Sequence, residues 1–150
     1  MESFIALIFV SAIGGIVGAL VMNFFMYFIS AQSEARVNMV EALGSLITKK
    51  TEGAIKMGAI CHLISGVVFG IIYGLIMSSA NALALPFSMF LGFGLGLFHG
   101  IVVAYCLMFI VSEKHPIEKY RKATFQTGAI HLLGHILFGG VVGLVIGALT

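Results

Sequence analysis

The run GAIHLLGHILFGG, residues 128–140, carries two histidines four apart in a stretch otherwise aliphatic, aromatic or glycine. On a helix, His131 and His135 share one face, and two imidazole nitrogens placed this way can converge on one ion. Two more histidines, His62 and His99, sit in equally apolar surroundings. Away from water the imidazolium is disfavoured, so these side chains are expected to be uncharged. A neutral imidazole offers one free lone pair, the donor that a transition metal or haem iron takes. The chemistry predicted is cofactor binding, with His62, His99, His131 and His135 as ligands of haem b or of a Zn, Fe or Cu ion. The plainer alternative is that each histidine hydrogen-bonds to a neighbouring helix and holds nothing.

Composition identifies the elements that must position these residues. Of 150 residues, 60% are hydrophobic and 9% charged, too little charge to cover a water-soluble domain. Four apolar stretches, 4–30, 57–79, 83–112 and 124–149, are each long enough to cross a hydrocarbon core of about 30 Å. Glycine spacing without strict alternation favours helices over barrel strands. The expectation is an all-α, four-transmembrane-helix bundle, a single integral membrane domain over 1–150. The first stretch reads as a span and not a removable leader: it runs long and carries only Glu2 at its amino end.

Charge placement predicts orientation. The basic residues fall in two segments, Arg36, Lys49, Lys50 and Lys56 in one and Lys114, Lys119, Arg121 and Lys122 in the other. These are loops 31–56 and 113–123, so the positive-inside rule makes both cytoplasmic, with both termini outside an inner membrane. The net charge of +2 is accounted for by topology and points to no nucleic-acid partner. In the longer loop, Val37, Val40, Leu43 and Ile47 fall near one helical face, which predicts a short amphipathic helix at the interface. In the shorter one Pro116 suits a first helical position, and Tyr120 is expected at headgroup level.

Depth follows from counting inward from the cytoplasmic ends. Asn23, His62, Tyr105 and His131 lie six or seven residues in, roughly 10 Å, and His135 and His99 one to two turns deeper. Asn23 and Tyr105 are therefore expected to be polar partners around the ligands. Tyr105 is six residues from His99, about 120° around the helix, so the two cannot point at one centre, whereas Cys106 shares the His99 face. Cys61 points away from His62, and both cysteines read as buried thiols with no disulfide. His115 reads as a solvated turn residue. Met22 and Met26, an i, i+4 pair, suit copper(I) by chemistry but read first as gap fillers.

The chain also repeats itself. A slide of 82 pairs Gly14 with Gly96 and Gly18 with Gly100; a slide of 69 pairs His62 with His131 and Gly70 with Gly139. Helices 1–2 and 3–4 are thus expected to be a parallel internal repeat about an axis along the membrane normal. Glycines four apart (14/18, 66/70/74, 92/96/100 and 139/143/147) form zippers that let helices approach closely, or else clear space for a flat cofactor at Gly66, Gly96 or Gly139.

No catalytic motif is present: no acid lies inside the membrane, no glycine-rich phosphate loop follows a strand, and Ser65 near His62 lacks a third group. The function read from the residues is a small integral membrane protein that binds haem or a metal ion, as an accessory or electron-transfer subunit of a larger membrane complex. The alternatives are a structural or assembly subunit without a cofactor, and an oligomeric transporter of ions or small solutes. The partners expected are the lipid bilayer and other membrane subunits or further copies of the chain.

Overall fold

An apolar segment with no water around it must satisfy its backbone internally, and the helix does so within a single segment. The computed structural model describes residues 2–32 and 38–150, and all its regular elements are helical. They are α1 (Glu2–Gln32), α2 (Met39–Thr48), α3 (Ala54–Ser79), α4 (Phe87–Lys114), a 3-10 turn (Glu118–Lys122) and α5 (Phe125–Leu149). α1, α3, α4 and α5 are long and apolar enough to cross a membrane. α4 starts at Phe87, four residues later than expected, because Pro86 caps it and the residues before it form a turn. Arg36 and Val37, which carry part of the charge and amphipathicity readings, lie outside the described residues.

The bundle is not evenly packed. α5 lies between α4 and α1, α1 lies between α5 and α3, and α3 and α4 barely touch. Three sides are therefore closed and the α3/α4 side is a seam. Large apolar side chains such as Phe9, Phe24, Phe90 and Phe98 point outward, as lipid permits.

Two of the closed sides are built alike. On α1, Ser11, Gly15 and Ala19 meet Gly66, Gly70 and Gly74 of α3. On α4, Ser88, Gly92 and Gly96 meet Gly139, Gly143 and Gly147 of α5. A Cβ on Gly15 would overlap the Gly66 carbonyl, and one on Gly92 the Gly139 carbonyl. In lipid, where the hydrophobic drive between helices is absent, such backbone contact is the main source of packing energy. Gly66, Gly96 and Gly139 are all filled by a neighbouring helix. The pairings drawn by slides of 82 and 69 do not occupy equivalent places. Gly14 leans on Val142 of α5, outside its own helix pair, whereas Gly96 leans on His135 within its pair.

The short helix α2 docks on the start of α3, where Gly44 faces the Ala54 carbonyl and Gly58 faces that of Val40. Asn38 caps it, accepting from the Val40 and Glu41 N–H groups at 2.9 and 3.3 Å. Its buried face is not the one the apolar spacing predicted. Met39, Val40, Ala42, Gly44 and Ser45 are buried, Leu43 is half-buried and Ile47 is exposed, because close backbone approach selects the small residues.

The two basic loops interlock through His115, which is fully buried and not solvated. The Ile117 N–H donates to its Nδ1 at 3.0 Å, and its Nε2–H faces the Ala42 carbonyl and Ser45 Oγ, both at 3.1 Å. Tyr120, expected at headgroup level, is buried against the His115 ring, their centroids 4.6 Å apart. Burial is the first cause that raises its phenol above the ordinary tyrosine value. Lys119 adds an exposed ion pair with Glu41 at 3.3 Å, which contributes little. Loop-to-loop contact, invisible to local periodicity, is what buries both rings.

Gly139→Val is expected to destabilise the bundle by about 3 kcal/mol or more, since the new methyls must displace α4 backbone. Gly94→Ala, where an added Cβ meets nothing within 4 Å, should be silent. SDS-induced unfolding in mixed micelles measures both, and equal stability of the two variants would contradict this packing.

Candidate functional site

Four imidazoles from three helices form a continuous row inside the bundle. Ring centroids are 5.7 Å apart for His62 and His131, 4.7 Å for His131 and His135, and 4.7 Å for His135 and His99. His131 is completely buried and His135 nearly so, while His62 and His99 are half-buried. Their placement follows from the glycine contacts. His62 and His135 each stand one turn before a run of three glycines four apart, at 66/70/74 and 139/143/147. Helix pairs drawn together there carry both rings inward.

Three of the four rings spend Nδ1 on a protein partner. The His62 Nδ1–H donates to Asn23 Oδ1 at 2.9 Å. The His135 Nδ1–H donates to the His131 carbonyl at 3.0 Å, a contact within one helix turn. His99 Nδ1 lies 2.9 Å from the Tyr73 hydroxyl, a bond that can run in either direction. Phe69 stacks flat on the His99 ring at 3.9 Å and fixes its plane. In the Nδ1–H tautomer, His62 and His135 each keep a bare lone pair on Nε2. This is how protein partners prepare a metal-ligating histidine.

His131 is different, since neither of its ring nitrogens has a hydrogen-bond partner. Among the described residues the Nε2 atoms of His62, His99 and His135 are likewise uncommitted. Hence five of the eight ring nitrogens in the row have no protein partner. Of these, the two His131 nitrogens are fully enclosed, and a polar group left so costs free energy, of the order of 1–3 kcal/mol each. The rings lie along a row rather than around a point. Among the described residues no three His, Cys, Asp or Glu side chains already stand in metal-holding geometry.

A cavity of about 220 Å³ lies against three rings of this row, those of His62, His99 and His135. Met22 of α1, His62, Gly66 and Phe69 of α3, His99 of α4 and His135 of α5 are in its wall, and Leu43 of α2 reaches it from the cap. A second, mostly apolar hollow of about 310 Å³ lies in the α3/α4 seam and shares Phe69, His99 and Val103 with the first. His99 therefore stands where the seam and the histidine cavity meet.

Several expected residues sit elsewhere. Tyr105 stacks on Phe125 at 5.0 Å and covers Gly128, away from the histidines. The tyrosine of the site is Tyr73, unmarked in the sequence reading. Its spacing of eleven from His62, close to three full turns, was the available signal. Cys61 is half-buried and Cys106 exposed, both free thiols, and neither is in the cavity wall. Cys106 looks outward because α3 leaves its side of α4 uncovered.

By helix length and composition the chain is a small multi-span membrane protein. It matches no family model, no curated protein and no solved structure.

Asn23→Leu is expected to shift His62 alone from a dominant Nδ1–H tautomer to a mixture, read by imidazole ¹⁵N NMR in nanodiscs at neutral pH. A mixed His62 tautomer in the parent protein would show that Asn23 does not set the ring.

Proposed function

We propose that this is a membrane protein that binds a transition-metal ion inside the bilayer, through Nε2 atoms of the row His62, His131, His135 and His99. The observation that carries this reading is that His62, His99 and His135, each with an Nε2 free of protein partners among the described residues, are in the wall of one cavity, with the wholly unpartnered His131 ring packed between His62 and His135. An ion would draw the rings together by side-chain rotation, and Asn23 and the His131 carbonyl would hold the donor tautomers. Of the two guests considered, the ion suits the site better than haem. The glycines that would clear a porphyrin are occupied by helix backbone, and a cavity of about 220 Å³ is small for one.

We also infer that the two helix pairs are copies, in the register His62/His135 and Gly15/Gly92. The likeness of their Ser–Gly–small contacts supports this. In that register the counterpart of the closed α1/α5 side is the open α3/α4 seam, so the symmetry breaks where the cavity meets lipid. The charge pattern supports both basic loops facing the cytoplasm and both termini outside. A redox-active ion would make the protein an electron-transfer or accessory subunit of a larger membrane complex.

A second reading has its own support: Asn23–His62 ties α1 to α3, and Tyr73–His99 bridges the seam, so the histidines could serve cohesion alone. Metal analysis and an absorption spectrum of the purified protein in nanodiscs separate the two. The expected result is one ion per chain, reduced at least tenfold in the His62→Ala/His135→Ala double variant. A Soret band would transfer the site to haem, and absence of any bound species would leave only cohesion.

A further inference from the structure

We propose that the ion is copper(I), held by the Met22 thioether together with His62, His99 and His135, the three histidines of the row that are in the cavity wall, which narrows the ligand set by leaving out His131. This rests on the metal-binding reading above and specifies which ion the site takes.

Met22 is buried on α1 and is in the wall of the same cavity as the three histidines. A Cβ on Gly134, on α5 between His131 and His135, would lie 3.2 Å from Met26 Sδ, 3.3 Å from Met22 Cγ and 3.4 Å from Met22 Cε. Both methionines reach the level of the row, and Met22 alone of the two is in the cavity wall. The thioether is thus level with the imidazole row. Met22 also follows Asn23's partner logic: the same turn of α1 that supplies the His62 acceptor supplies the sulfur.

The helix-pair contacts give these residues a common pattern. Ser11, Gly15 and Ala19 correspond to Ser88, Gly92 and Gly96, which brings Met22 opposite His99; the α3 and α5 glycines bring His62 opposite His135. Two pairs of corresponding positions therefore supply four donors to one cavity: an imidazole pair, and a thioether with an imidazole.

Charge decides the oxidation state. Every donor is neutral, and no Asp, Glu or Cys is in the cavity wall to offset an ion's charge. The cost of taking an ion out of water grows with the square of its charge, so a divalent ion costs about four times as much as a monovalent one of similar size. Hard monovalent ions want several oxygens, and the only side-chain oxygen among the described residues of the wall is the Ser65 hydroxyl, whereas thioether and imidazole suit copper(I). Binding displaces no proton, because His62 and His135 present bare Nε2 atoms in their Nδ1–H form. It needs no electron transfer either, since the ion enters already reduced. His99 joins as a donor when its Nδ1–H is given to the Tyr73 oxygen.

The test uses the full chain in nanodiscs, anaerobic with ascorbate. Copper(I) is titrated against a chromogenic copper(I) chelator, and zinc is titrated separately. Met22→Leu conserves volume and should leave the fold intact. Met26→Leu, at a buried methionine outside the cavity wall, is the control. The expected result is one copper(I) per chain, held at least tenfold more tightly than zinc. Met22→Leu should weaken copper(I) at least tenfold, leave zinc unchanged and remove sulfur scattering from the X-ray absorption spectrum, while Met26→Leu changes nothing. Copper(I) bound equally by Met22→Leu, or zinc bound more tightly than copper(I), overturns this proposal and leaves the histidine site standing. Failure of the parent protein to bind either ion overturns both.

Discussion

A nitrogen lone pair or N–H enclosed in hydrocarbon must find a partner inside the protein or hold a guest, because the solvent supplies neither. His62, His99 and His135 meet half of that demand through Asn23, Tyr73 and the His131 carbonyl, and His131 meets none of it. The three partly satisfied rings stand in the wall of one cavity, and His131 is packed against two of them. Cavity, tautomers and helix contacts all take their meaning from that unspent hydrogen-bonding capacity.

The helix packing explains how such a row is kept. Backbone contact at Gly15, Gly66 and Gly70 on one side and at Gly92, Gly96 and Gly139 on the other clamps two helix pairs without using large side chains. Each clamp fixes the histidine one turn away, so ring positions are inherited from the closest backbone contacts of the bundle. α5 joins the pairs through α1, and the opposite side stays loose. Phe69, Tyr73 and His99 work at that loose side, where the bilayer has access to the apolar hollow. The cap formed by α2 and the His115–Tyr120 contact closes the other approach, with Leu43 reaching the cavity.

The four spans and the inward gathering of the histidines were legible in the sequence because hydropathy and polarity are local signals. The inner face of each span was much less so. Lipid is as apolar as the core, so the outward Phe24 and Phe98 look the same as core residues, and only small or polar residues mark the interface. That ambiguity drew attention to Gly14, although Gly15 is the residue in backbone contact with α3. Asn23 was found because a lone amide in a span needs a partner. Tyr73 was missed because a tyrosine in an apolar run reads as bulk until its neighbour across the seam is known. His115 and the buried face of α2 depend on loops meeting, which no periodicity within either loop encodes.

Anomalous diffraction from crystals grown in a lipidic phase with copper(I) tests the central claim most directly. The account predicts a single copper peak in the cavity, bonded to Nε2 of His62 and His135, with Asn23 still accepting from the His62 Nδ1–H. Imidazoles turned to lipid, or a row bridged by ordered water with no copper peak, would contradict it.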